Sequence, residues 1–380
     1  MNNVWNSTDI GAINMKLVLR KLYHRFKRIR SLHISQKRER KKIMDKCRQK
    51  ILNQYNLTDT QKAEIDKLFL KNYGRKVPYD WHRYFSSYTG KFDAQFIPEL
   101  IYIPVIEKKF NDSRFISAFS DKNILPLLVS GIKNVRTPNI YLSSVNGIFR
   151  DENSMFIDKK QALKILENLT CFGKPTVDSN SGKLCAVYRF ENGIDAISHR
   201  NAEEIIDDMG KNFCFQELVR NCESVSKLHE NSLNTFRITT YLWKEKVWHF
   251  PVIMRIGQGK SVLDNAHQGG MFIGLSDEGI MNECAFTEFQ DRYFVHPDSK
   301  IEFRGYSVPE LKLALQAVKV IHQRIPQLGM ISWDVVVNDN GEVIIIEMNV
   351  LGQSVWLPQM AHGAGAFGEN TQEILTWVRN

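Results

Sequence analysis

The stretch MISWDVVVNDNGEVIIIEMNV, residues 330–350, decides how this chain is read. Two strand-like runs, ISWDVVVND and EVIIIEMN, flank Asn340-Gly341, and Asn-Gly between apolar runs is the strongest short-range signal for a two-residue hairpin turn. With those residues as the turn, Asp339 pairs with Glu342, opposed residue numbers sum to 681, and Asp334 faces Glu347. Alternation along the strand puts Asn349 on the face of Glu347. Directly opposed like charges destabilise a ladder, and the surrounding Val335–Val337 and Ile344–Ile346 mark strands buried on both faces. Buried carboxylates are tolerated where they share a proton or hold a cation. Two carboxylates and an amide oxygen are a donor set for Mg²⁺, with waters and substrate phosphates completing its octahedron. The competing reading is a three-residue turn, which shifts the register by one and separates the pair.

A metal that bridges phosphates needs cations and backbone donors upstream. Lys174 lies in CFGKPTVDSNSGKLCAVYRF (171–190), where the 178–183 loop, with Ser181 and Gly182, lets backbone N–H groups approach phosphate oxygens. Alone, that pattern is as well read as a surface hairpin, and the Walker sequence GxxxxGK[ST] is absent. FCFQELV (213–219) ends in Gln216, Glu217, Leu218 and Val219, which read as a hinge for an adenine edge and a ribose, or else as an ordinary edge strand. Arg237 in LNTFRITTYL and Arg255 in VIMRIG sit in apolar strands, where an Arg needs an anionic partner. A structural carboxylate would satisfy either alone; both on successive strands favour an anion site. DNAHQGG (264–270), with Asn265, adds a polar, glycine-rich loop.

Charge divides the 380 residues into two parts. The net charge is +9, but residues 16–50 hold 15 Lys or Arg against only Glu39 and Asp45, so the rest of the chain is mildly acidic. That acidic body has no aromatic platform or nucleic-acid motif, and no nucleic-acid partner is expected. Within the basic arm, Leu19, Leu22, Tyr23, Phe26 and Ile29 share one helical face. Such a helix either docks on the body by its stripe or lies on an anionic membrane through residues 16–34. No apolar run approaches the ~20 residues of a membrane span, and the first fifteen residues do not read as a secretory leader. Six cysteines without CxxC pairs read as reduced thiols, so the expected location is cytoplasmic, peripheral at the inner face of the membrane.

With 43% hydrophobic and 24% charged residues the chain is an ordinary globular protein, which excludes wholesale disorder and collagen-like or coiled-coil structure. Polar helices are expected over 37–75, followed by a strand over Leu100–Val105. From Asp121 an α/β pattern follows, with helices at 121–132, 159–169 and 201–209 among apolar runs at 184–190, 212–219, 235–243 and 247–257. A helix is expected over 308–325, with Ser307 and Glu310 as its S-x-x-E capping box.

Taken in order, Asp121-Lys122, Lys174-Pro175, Gln216-Glu217-Leu218-Val219, Asn234-Thr235 with Arg237, Arg255-Ile256-Gly257, Asp264-Asn265, Gly269-Gly270, Asp334 and Glu347-Met348-Asn349 resemble the ATP-grasp superfamily. The blocks NTFRITTY and RIGQGKSVLDNAHQGG resemble the sugar-transfer-associated branch found among bacterial surface-polysaccharide genes. The likeness runs from about residue 115 to the C-terminus. It implies an α+β ATP-grasp fold whose two lobes clasp ATP: a lid lobe over 121–215 and a catalytic lobe over 216–380. These follow a basic helical extension (1–60) and an N-terminal α/β region (61–120).

By the same resemblance, Lys122, Lys174, Ser181 and Gly182 would meet the ATP phosphates and Gln216–Val219 the adenine. Asp334, Glu347 and Asn349 would hold Mg²⁺, while Arg237, Arg255 and Asn265 would serve the acyl group. The implied activity is a carboxylate–amine ligase that forms an amide through an acylphosphate, on a sugar-linked or amino-acid substrate of capsule or O-antigen assembly. The alternatives are an ATP-grasp kinase and a non-catalytic nucleotide-binding assembly protein. Related ligases often carry an Arg before the paired glycines, where this chain has His267-Gln268, a departure that bears on the acyl contact. His362 is a tempting base, against the reading of a structural histidine in a Gly/Ala-rich segment.

Overall fold

The computed structural model describes residues 7–177, 184–259 and 269–379. Helices lead: α1 (Ser7–Ile43), α2 (Lys46–Leu52), α3 (Asp59–Asn72), α4 (Asp80–Thr89) and the short α5 (Glu99–Ile101). Their limits follow from local chemistry. Asp45 accepts from the N–H groups of Cys47 and Arg48, and Thr58 and Gln61 form a reciprocal capping box. Gly90, at φ 75°, closes α4 in the left-handed conformation.

The strand expected over Leu100–Val105 is helical. α5 runs into a π-helical turn, Tyr102–Glu107, with Pro98 at its N-cap. Leu100, Ile101, Tyr102, Pro104 and Ile106 are all buried or nearly so, and a short apolar run buried on every side has no period that separates helix from strand.

Among the described residues sixteen strands form two sheets. β1 (Val135–Arg136) belongs to the larger one. β2 (Ile140–Val145), β3 (Ile148–Asp151), β4 (Phe156–Ile157), β5 (Thr170–Pro175), β6 (Ala186–Glu191), β7 (Ile194–Asp195) and β8 (Phe213–Gln216) build the smaller, in the order β4-β3-β2-β8-β5-β6-β7. β8 is therefore interior, flanked by β2 and β5, and not an edge strand. The larger sheet continues with β9 (Thr235–Trp243), β10 (Lys246–His249), β11 (Val252–Ile256), β12 (Met271–Leu275), β13 (Ala285–Phe286), β14 (Arg292–Tyr293), β15 (Met330–Val337) and β16 (Val343–Asn349). Its order is β1-β16-β15-β9-β11-β12-β13-β14, with β10 paired to β9. Pro251 breaks the apolar run 247–257 into β10 and β11, since proline cannot donate to a ladder.

One face of the larger sheet packs Phe236, Ile238, Met254, Trp333 and Val335 against Leu311, Ala314, Val318 and Ile321 of the helix Leu311–Gln323. That helix lacks the expected capping box: Glu310 is already helical, and its carboxylate instead accepts from Ser224 Oγ at 2.8 Å. A second cluster joins α3, α5, β9 and the C-terminal helix Thr371–Arg379 through Phe69, Ile101, Tyr241 and Ile374. α1 docks by its C-terminal end, where Glu39 and Ile43 are buried. Of its apolar stripe, Leu22, Phe26 and Ile29 are 55%, 66% and 47% exposed.

Candidate active site

The hairpin at the centre of the site turns differently from the two-residue expectation. Val337 pairs with Val343, the Asn338 N–H donates to the Glu342 carbonyl, and Asp339, Asn340 and Gly341 form a three-residue loop with Gly341 at φ 71°. Asn338 Oδ1 fixes the loop by accepting from the N–H groups of Asn340 and Glu342. Glu342 thus opposes Asn338, not Asp339. Continued unchanged, this register would set Asp334 against Ile346 and turn Glu347 toward the core beside Trp333. Instead the ladder slips between Asp334 and Val335: Val335 faces Ile345, Asp334 faces Glu347, and Ile346 is the extra residue of a β-bulge. Met348 therefore joins Val343 and Ile345 in the core, while Glu347 and Asn349 line the cleft with Asp334.

Cross-strand neighbours supply the cations. Arg237 on β9 lies opposite Asp334, with Nε 2.5 Å from Oδ1 and Nη2 3.1 Å from Oδ2. Arg255 on β11 reaches Asp334 Oδ2 at 3.0 Å and donates to Thr235 Oγ1. Asp334 is only 3% exposed. Burial would raise its carboxyl, but Arg237 and Arg255, with Lys122 beyond them, hold it below the ordinary carboxylate range. Lys122 Nζ sits 3.0 Å from Glu347 Oε1. It is positioned by a single 3₁₀ turn that Asp121 caps, and its N–H reaches the Thr176 carbonyl beyond β5. Lys174, buried on β5 opposite Cys214, completes four cations around two carboxylates, a charge excess suited to a polyphosphate.

At the end of β8 the Glu217 N–H donates to the Asn139 carbonyl, and its carboxylate accepts from Arg136 Nη1 at 2.6 Å. Arg136 also places Nε 3.3 Å from Glu342 Oε2, which ties this segment to the hairpin turn. Glu217, expected to face a ribose, is thus already paired. No local sequence signal marked Arg136; the parallel pairing of β1 with β16 brings it there.

The fold gathers Lys122, Lys174, Gln216, Glu217, Leu218, Val219, Arg237, Arg255, Asp334, Glu347 and Asn349 around one cleft of ≈1590 Å³. Ser181, Gly182 and Asn265 lie outside the described residues. His362 donates from Nε2 to the Val252 carbonyl at 2.7 Å, and burial lowers its pKa. Sequence reasoning missed the contribution of the N-terminal helices, which bring Lys42, Arg48 and Glu99 to the cleft wall.

A family model described as sugar-transfer associated ATP-grasp matches residues 105–374. No curated protein matches the chain. Similar solved structures include the D-Ala:D-Ser ligase VanG of Enterococcus faecalis, 13% identical at a TM-score of 0.41 over 68% of this chain and 60% of that one. The ATP-grasp ligase PsnB, complexed with minimal precursor, Mg and ADP, is 12% identical at 0.37 over 71% and 62%. The ADP complex of purK, an N5-carboxyaminoimidazole ribonucleotide synthetase, is 13% identical at 0.37 over 64% and 47%. The chain spans less than two thirds of the length of each.

Proposed function

The chain belongs to the sugar-transfer associated ATP-grasp family, and on that premise we propose that it is an ATP- and Mg²⁺-dependent ligase joining a carboxylate to an amine. The substrates are sugar-linked or amino-acid molecules of surface-polysaccharide assembly, such as capsule or O-antigen. The observation that carries this reading is the Asp334–Glu347 pair, opposed across a ladder and surrounded by Lys122, Lys174, Arg237 and Arg255.

Asp334, Glu347 and Asn349 are the residues that would hold Mg²⁺. The donor set fits: Asp334, only 3% exposed, lines the cleft beside Glu347 and Asn349, and Mg²⁺ needs only one or two carboxylates when phosphates and waters fill the remaining positions. When bound, the metal offsets charge on the phosphates.

Lys174 binds phosphate oxygens, and Lys122 exchanges the Glu347 carboxylate for a phosphate as the nucleotide enters. Arg237 and Arg255 keep Asp334 ionised and oriented, and they present guanidinium edges to the acyl group. Gln216–Val219 receive the adenine, and the family resemblance adds Ser181 and Gly182 for phosphates and Asn265 for the acyl group. A substrate carboxylate oxygen attacks the γ-phosphorus, ADP leaves, and the amine displaces phosphate from the resulting acylphosphate. Catalysis is chiefly positioning and electrostatic stabilisation.

Incubation of the full chain with ATP, Mg²⁺ and paired acids and amines should yield ADP and an amide. A stable phosphorylated product formed without an amine would make it a kinase, and nucleotide binding without turnover a non-catalytic assembly protein.

The exposed Leu22, Phe26 and Ile29, with Lys27 and Arg30 beside them, support contact of α1 with an anionic membrane surface from the cytoplasmic side. Among the described residues no helix is long and apolar enough to cross a membrane.

A further inference from the structure

The cleft extends past the carboxylate pair to a wall that the chain builds from residues ahead of the family match. α1 brings Lys42, α2 Arg48 and α5 Glu99, opposite Ser354 and Trp356. The Arg48 guanidinium pairs with Glu288 and lies over the Trp356 ring, 5.1 Å from its centroid. Ser354 follows Asn349 by five residues, so their Cα atoms are at most ~18 Å apart. Glu99 is 1% exposed, and Ser354 and the Val355 backbone hydrogen-bond to it, yet its Oε2 has no hydrogen-bond partner among the described residues. An unpartnered buried carboxylate oxygen costs free energy that evolution tolerates at sites that meet a ligand.

We infer that this wall is the acceptor end of the cleft and that Glu99 receives the ammonium group of a primary-amine substrate. The inference rests on the ligase reading and names its nucleophile's subsite. The amine enters as R–NH₃⁺ and passes one proton to the Glu99 carboxylate, which frees the nitrogen lone pair. The lone pair attacks the acyl carbon, a C–N bond forms, and the acyl C–O bond to phosphate breaks with its electron pair leaving on phosphate. Phosphate takes the second N–H proton, and Glu99 returns its own to solvent. Burial, with Glu39 of α1 beside it and against the pull of Lys42, holds the Glu99 carboxyl up to about 8. Glu39 of α1 and Glu107 of the π-helical turn are also buried with an Oε2 that makes no hydrogen bond among the described residues, but of the three only Glu99 lines the cleft. A carboxylate so poised is matched to taking a proton from an ammonium.

The test is saturation-transfer NMR at pH 8.5 on the full chain, with ethanolamine as the probe and ethylene glycol as its uncharged counterpart. Wild type should bind ethanolamine and not ethylene glycol. Glu99→Gln, which keeps the shape, should weaken ethanolamine binding at least tenfold, and Glu99→Asp, which keeps the charge, should weaken it less. Equal binding by Glu99→Gln, equal binding of ethylene glycol, or no ethanolamine binding by wild type would overturn the inference. Calorimetry with Mg²⁺ and AMPPNP on the same proteins separates the two readings. Loss of nucleotide binding in wild type sinks the ligase proposal and leaves the ammonium result standing. Nucleotide binding retained by Glu99→Gln shows that the variant is folded.

Discussion

Asp334 and Glu347 face each other across β15 and β16 because Ile346 bulges from the ladder between them and the turn. The pairing sets a carboxylate held by two arginines against one held by a lysine. The two acids therefore differ: Asp334 is buried and fixed, whereas Glu347 is half-buried and, among the described residues, paired with Lys122. Glu347 is the one free to change partner when a nucleotide arrives.

That difference makes Glu347→Gln the cleanest test of the site. The amide keeps the shape, removes the charge opposite Asp334 and leaves the fold intact. Mg²⁺-dependent ADP formation should fall ~100-fold or more, the scale on which removal of one transition-state electrostatic group acts. The thermal midpoint should move little. Full turnover in the variant would remove Glu347 from the chemistry.

Asp334 behaves differently because its neighbours are buried charges. Arg237→Met leaves the carboxylate short of one partner, and breaking a buried pair costs about 3–5 kcal/mol, so a large drop in the urea midpoint is expected at pH 7. The sign with pH follows from the lowered carboxyl. Its stabilisation is present above the ordinary value of 3.8 and is lost as pH falls through the lower folded value. Wild type and Asp334→Asn should therefore converge in stability in acid and separate at neutral pH. A gap that stays constant with pH would contradict the ion-pair account.

Glu99 and Glu107 carry the opposite dependence. Burial pushes their carboxyls from 4.5 up to about 8 and about 7, so between those limits the folded chain binds more protons than the unfolded one. Stability then falls as pH rises from about 4.5 to 8. Thermal midpoints taken from pH 5 to 8.5 should decline in wild type, and Glu99→Gln should flatten the decline.

Much of this site was legible because Asp334, Arg237 and Arg255 sit in apolar strands, where a charge needs a partner wherever the strands fall. Their mutual pairing was not legible, since it depends on β9 lying between β11 and β15. The hairpin shows the same limit at finer scale. Asn340-Gly341 marked the turn, but Asn338, whose side chain caps a three-residue loop, changed its length, and the bulge at Ile346 then restored the expected opposition. The helical stretch around Tyr102 and the uncapped helix at Leu311 were misjudged because burial on all sides erases periodicity and because Glu310 found Ser224 instead of a backbone amide. Arg136, Arg48 and Glu99 reach the cleft through contacts distant in sequence, which no local pattern records.

The N-terminal helix gives the last prediction. Leu22, Phe26 and Ile29 are exposed on α1 with basic residues along the same stretch, while the helix buries Glu39 and Ile43 near its C-terminal end. Full burial of such a side chain is worth roughly 1.5–3 kcal/mol, and each Lys or Arg near an anionic surface adds about 1 kcal/mol. The protein should therefore sediment with vesicles containing anionic lipid and not with neutral ones, and added salt should weaken the binding. Leu22→Ser/Phe26→Ser/Ile29→Ser should reduce the bound fraction at least tenfold while ADP formation in solution is unchanged, because the stripe lies far along α1 from the end that reaches the cleft. Binding that survives the triple substitution would assign the contact to charge alone. Wild-type protein that ignores anionic vesicles would leave the stripe to a protein partner.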